Sequence, residues 1–140
     1  MVERKLTGLI GRPVTHSAGQ YVFNAIFREK SIPSFYVAID IAPINLASFL
    51  NLAGEHFSAL NVTSPHKNTV IDFCGKLSST AQKTQSVNLL VFDNDTITGD
   101  NLDVLGFKSL VSRNEIPLND KNVVVVGSGG VARSVIHAIS

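Results

Sequence analysis

Cysteine is almost missing from this chain. Cys74 stands alone among 140 residues, so no intramolecular disulfide can form and no thiolate metal cluster can assemble. A reducing cytoplasm is the expected compartment. Basic clusters are missing too: no run of lysine or arginine exceeds the pair Arg4-Lys5, and twelve basic against eleven acidic residues leave a formal charge of +1. That balance argues against nucleic acid and anionic membrane as partners. Nothing approaches the roughly 18 apolar residues of a membrane span, and the charged start Met1-Val2-Glu3-Arg4-Lys5 leads into no signal-peptide core. Internal repeats and low-complexity tracts are absent as well. His56 and His137 have no acidic or cysteine company at ligand spacing, so no metal is expected. What the chain does have is 44% apolar residues and a positive mean hydropathy, enough to bury a core at the size of one typical domain.

The patterning alternates. Leu6 to Ile10 reads as a strand ending at Gly11, and from Ser17 the period changes to that of a helix, with Val22, Ala25, Ile26 and Phe23 toward one side. Phe35 to Ile41 is β-branched and aromatic, Ile44 to Leu52 is helical, and Phe57 to Leu60 is a short buried strand. Leu77 to Thr84 is a short helix, and Ser86 to Phe92 pairs with Thr96 to Gly99 as a hairpin through the turn-forming Asp93-Asn94-Asp95. A helix over Leu102 to Val111 carries Asp103 in its first turn, Asn114 to Lys121 is a linker, and Val123 to Val126 reads as a parallel strand buried on both faces. The order implies an α/β fold, an open and mainly parallel sheet, followed by the first β-α unit of an incomplete dinucleotide-binding domain. The boundaries expected are 1–103 for a first domain and 104–140 for connecting helix, linker and a truncated second domain.

Two turns carry chemistry. Asn61-Val62-Thr63-Ser64-Pro65-His66-Lys67 delivers a hydroxyl and an amine between a strand and a helix, with Ser64 as N-cap and Pro65 at the first helical position. Lys67 then falls in the first turn, where the helix dipole disfavours a cation and favours the neutral amine that a base requires. A surface lysine on a frayed helix start would give the same sequence. His66 is expected to be exposed and structural, and His16 to fix its loop. The second turn, Gly127-Ser128-Gly129-Gly130-Val131-Ala132, matches G-x-G-x-x-A between a buried strand and a helix. Gly127, Gly129, Gly130 and Ala132 are thus the candidate cofactor-binding residues, the glycines letting backbone approach a pyrophosphate on the helix N-terminus. The residue that would read the adenosine ribose should lie about 20 residues further on, past Ser140, so the glycine motif does not choose between NAD and NADP. The chain reads as a piece of something longer.

Polar groups also recur at strand ends: His16-Ser17, Asn61 with Thr63 and Lys67, Asn88, and Asn101 with Asp103. The carboxyl ends of the strands of an open parallel sheet line its ligand crevice. With Gly11-Arg12-Pro13-Val14-Thr15-His16-Ser17, Asn24, Val87-Asn88, Gly99-Asp100-Asn101-Leu102-Asp103, Gly106 and the glycine turn, the chain resembles the shikimate dehydrogenases over nearly its whole length. The resemblance implies NADP-dependent interconversion of 3-dehydroshikimate and shikimate, in aromatic amino acid biosynthesis, with Lys67 and Asp103 as catalytic pair. It implies Ser17, Thr63 and Asn88 as hydrogen-bonding residues for the small hydroxy acid, and a C-terminal helix bearing a glutamine, which these residues do not include. The chain departs from the family at Gly19, Gln20, Leu89 and Leu102, where a serine, a proline and two threonines are usual. Gly19 and the two leucines lose side-chain donors. A non-catalytic carboxylate-binding module or degenerate paralogue is therefore the alternative, and a homodimer is left open.

Overall fold

The computed structural model describes residues 6–93 and 96–140. The charged start Met1 to Lys5 and the Asn94-Asp95 step of the expected hairpin turn lie outside the described residues. Six strands form one sheet in the order β2-β1-β3-β5-β6-β4. β1 (Leu6–Gly11) lies parallel to β2 (Phe35–Asp40) and to β3 (Phe57–Val62), through the crossover helices α1 (Gly19–Glu29) and α2 (Leu46–His56). The sheet then changes direction. β5 (Leu89–Asp93) runs antiparallel to both β3 and β6 (Thr96–Asp100), and the two-residue β4 (Lys76–Leu77) closes the far edge parallel to β6. So short a strand leaves no periodicity in the sequence, which is why Leu77 reads there as part of α3 (Ser79–Thr84).

One face of the sheet is the core. Ile10, Leu60, Val62, Leu90 and Phe92 meet Leu46, Leu50 and Ala53 of α2, together with Val70 and Ala81. Period-two alternation puts these strand residues on one side. The other face is more thinly covered. α1 buries no residue fully: Val22 is 53% and Phe23 39% exposed, while Phe23 stacks on Tyr36 at 4.5 Å between centroids and, with Phe27, lines the space beneath the helix. Asn24 clamps the Tyr36 backbone from both sides, at 2.8 Å to its carbonyl and 2.8 Å from its N–H. A cavity of about 170 Å³ remains between α1 and the sheet, lined by Thr7, Phe23, Phe27, Tyr36, Asn61 and Leu89.

Two expectations need correction. No α-helix follows Pro65: residues 64–68 form turns, and a 3₁₀ segment spans Thr69–Phe73 with Asn68 at its N-cap position. The backbone there is taken up otherwise, His66 N–H bonding Thr63 O and Val87 N–H bonding Lys67 O. Ser64 therefore caps nothing, and there is no α-helical dipole for Lys67 to oppose. The strand read over Val123 to Val126 has no ladder either. Residues 121–128 lack strand pairing among the described residues, and Val124 and Val126 are 85% and 95% exposed. A parallel strand needs a neighbour on which to place its N–H groups, and none stands beside it. The helix of that unit does form, as α5 (Gly130–Ile139), and packs on α3 and on α4 (Asp103–Arg113).

Candidate active site

The site is assembled by the change of strand direction. Lys67 follows the carboxyl end of β3, and Asp103 opens α4 just after the carboxyl end of β6. Asn88, expected at a carboxyl end, instead precedes β5. Because β5 is antiparallel to β3, its amino end lies at the same pole. One pole thus gathers residues that an all-parallel sheet would have separated.

Lys67 Nζ donates to Asp103 Oδ2 at 2.8 Å, both side chains being about a quarter exposed or less. The other carboxylate oxygen accepts from Asn88 Nδ2 at 2.7 Å. Asn88 Oδ1 in turn takes the Leu102 N–H at 2.8 Å, and Asn101 Oδ1 takes the Asp103 N–H at 3.0 Å. Two asparagines therefore satisfy the first N–H groups of α4, which the helix itself leaves unbonded, while Asn88 also orients the carboxylate. Asn101 is buried, and its amide nitrogen reaches Thr84 Oγ1, Ser86 O and Ser134 Oγ at 2.9–3.0 Å.

Across a cleft of about 480 Å³, Thr63, Ser64 and Lys67 face Val126, Gly127 and Gly130. Of the expected strand, glycine turn and helix, the turn and the helix form and the strand does not. Gly127 has φ +124°, a region other residues rarely adopt, and a side chain on Gly130 would stand 2.4 Å from Ser86 Oγ. No side chain caps α5, and a Cβ on Gly129 would meet open space. Uncapped N–H groups beside open space suit an anion such as a pyrophosphate.

Ser17 stands on the loop after β1. Its hydroxyl accepts from Gly19 N–H at 3.2 Å, and the loop is tied to the lysine turn through Arg12 N–H to Ser64 O and Thr63 N–H to Ile10 O. The space over Gly19 opens on the Ser17 hydroxyl and the Tyr36 ring. Tyr36 OH donates to Asn61 Oδ1 at 2.9 Å, and burial pushes the phenol up to about 12. In the sequence Tyr36 is only one residue of a β-branched and aromatic stretch, and no pattern singles out Arg133 or Ser134. His66 is buried rather than exposed, its Nε2 2.8 Å from Ile41 O. His16 and His56 are exposed. Among the described residues no group of three or more His, Cys, Asp or Glu could hold a metal, and no helix is long and apolar enough to cross a membrane.

The fold and site together define an open α/β domain that sets a lysine–carboxylate pair against a glycine turn. Residues 9–90 match the family model described as the shikimate dehydrogenase substrate binding domain, and the chain belongs to the shikimate dehydrogenase family. A shikimate dehydrogenase (NADP(+)) of Thermoplasma acidophilum is 40% identical over 132 residues, covering 94% of this chain and 49% of its own length. One of Methanocaldococcus jannaschii is 34% identical, covering 97% and 49%. A crystal structure of a shikimate dehydrogenase in complex with NADP+ superposes with a TM-score of 0.91 at 33% identity, over 97% of this chain and 48% of that one. The Thermus thermophilus enzyme in complex with shikimate gives 0.90 at 26%, over 96% and 52%. The chain spans about half the length of the curated relatives it matches.

Proposed function

We propose that this chain is the substrate-holding part of a cytoplasmic, NADP-dependent oxidoreductase that interconverts 3-dehydroshikimate and shikimate. The Lys67–Asp103 pair carries the reading. Oxidising a secondary alcohol removes a hydride from carbon and a proton from oxygen, and the proton must go to a positioned group. Lys67, held at 2.8 Å by Asp103, takes that proton in oxidation and returns it in reduction. Asn88 keeps the carboxylate turned toward the amine, and Thr63, on the wall it shares with Lys67, binds a ring hydroxyl. Ser17 binds the carboxylate of the acid. Residues 1–103 form the substrate domain, and residues 104–140 connect it to the cofactor side.

NADP, when bound, supplies the hydride acceptor. Gly127, Gly129, Gly130 and Ala132 would hold its pyrophosphate against the first turn of α5. The test has two arms. Calorimetry on this chain should give saturable shikimate binding that is lost in Ser17→Ala, and a longer polypeptide carrying a complete dinucleotide half should reduce NADP+ in the presence of shikimate. Binding without turnover in the longer chain would leave a carboxylate-binding module, the reading that Gly19, Leu89 and Leu102 favour.

A further inference from the structure

Two neighbouring residues of α5 reach past the cleft and grip the flanks of the lysine–aspartate pair. Arg133 Nη2 donates to Asn68 Oδ1 at 2.6 Å, and Asn68 directly follows Lys67. Ser134 Oγ lies 3.0 Å from Asn101 Nδ2, and Asn101 holds the N–H of Asp103. Ser134 and Asn101 are both essentially inaccessible to solvent. Four residues before Ser134, Gly130 brings the glycine turn so close that a Cβ there would fall 3.5 Å from Lys67 Cδ. One turn of helix, continuous with the glycine turn, thus bonds a neighbour of the base and a neighbour of the acid.

We propose that Arg133 and Ser134 are positioning residues, which set the Lys67–Asp103 pair in register with the glycine turn. This rests on the reading of that pair as the proton-transfer centre. The contact is poorly suited to stability alone, because Ser86 Oγ and Arg133 Nε are left buried with no hydrogen-bond partner, an arrangement that weakens an interface. What the contact does fix is the side chain on each flank. Without Ser134, the Asn101 amide loses an acceptor and its hold on the Asp103 N–H slackens. Without Arg133, Asn68 and the lysine turn are released from α5.

Nuclear magnetic resonance of the isotopically labelled chain tests this without any assay of turnover. Ser134→Ala and Arg133→Gln are compared with Ala53→Gly, which weakens the buried face of α2 away from the site. Loss of one ordinary hydrogen bond should raise side-chain amide exchange at Asn101 by about three- to tenfold in Ser134→Ala. The Asn88 side-chain amide, which touches Asp103 but not α5, should shift in both α5 variants and stay fixed in Ala53→Gly. Ser134→Thr, which retains the hydroxyl, should restore the Asn88 signal. In a longer, active polypeptide the α5 variants should lower kcat while KM for the acid stays within about twofold, the mark of an interaction used in the transition state. An Asn88 signal unmoved by both α5 variants would overturn the proposal, whether or not the longer polypeptide oxidises shikimate. If that polypeptide proves inactive while Asn88 does shift, the positioning role stands and only the assigned reaction falls.

Discussion

The imidazole Nε2 of His66 lies 2.8 Å from the carbonyl oxygen of Ile41, buried, one residue before Lys67. A carbonyl only accepts, so the ring donates from Nε2. His66 is therefore the anchor of the lysine turn against the end of β2, with its Nε2 proton committed to that carbonyl. His66→Leu should lower unfolding free energy by about 1–3 kcal/mol, the usual penalty for stranding a buried acceptor. Urea unfolding of the variant beside the parent chain checks it, and a change below half a kilocalorie would deny the anchoring role.

Lys67→Ala, in a polypeptide that turns over shikimate, should reduce kcat by about 10²–10⁴-fold, the range for a lost proton-transfer group, and leave shikimate affinity within tenfold. Asp103→Ala should impair both, because it also strands Asn88 Nδ2 and frees the amine from its partner at 2.8 Å. Steady-state kinetics with calorimetry separates the two patterns.

Leu102 is 40% exposed beside the Asn88 side chain that holds its N–H, whereas Leu89 lines the apolar cavity under α1 with Phe23 and Phe27. Leu102→Thr should therefore restore a donor at little structural cost and tighten shikimate binding by about two- to tenfold, one hydrogen bond's worth. Leu89→Thr should destabilise the fold instead. Tighter binding from Leu89→Thr alone would reverse this assignment.

Burial raises the Cys74 thiol from 9.0 to about 11 and the Tyr36 phenol from 10.0 to about 12. Between the lower and upper values the unfolded chain gives up its proton while the folded one keeps it, so the native state binds more protons and stability falls as pH rises. The contribution of these groups is complete below pH 9 and is lost progressively between pH 9 and 12. Denaturant titrations across that window should show the decline, flattened between pH 9 and 11 in Cys74→Ala. At neutral pH, Cys74 in the folded protein should react with iodoacetamide far more slowly than in urea.

Much of this was legible in the sequence because it was periodic or punctuated. β1, β2, α2 and the hairpin follow directly from alternation, helical spacing and turn residues, and the glycine turn from its pattern. The antiparallel turn of β5 was legible only as a hairpin. That it also reverses β5 against β3, and so delivers Asn88 by its amino end, is a property of the sheet as a whole. The seat of α1 was less legible, because its contacts run through Phe23 on Tyr36 and Asn24 on the Tyr36 backbone rather than through a buried aliphatic stripe. The lysine turn failed as a helix because His66 and Lys67 spend their backbone groups on Thr63 and Val87, partners no local pattern announces. Arg133 and Ser134 sit in an ordinary helical stretch, and their meaning arises only from what lies 65 and 33 residues away.

The hairpin of β5 and β6 brings its Leu89 and Asp100 end to the active pole and carries its Asp93 and Thr96 end the other way. Five residues of strand separate the two ends, about 13–17 Å at strand rise. The Thr96 end of β6 is therefore a handle. A fluorophore, an affinity tag or a tether to a surface attached at Thr96 would report on or immobilise the protein from the end of the sheet opposite the cleft where Lys67 and Asp103 meet.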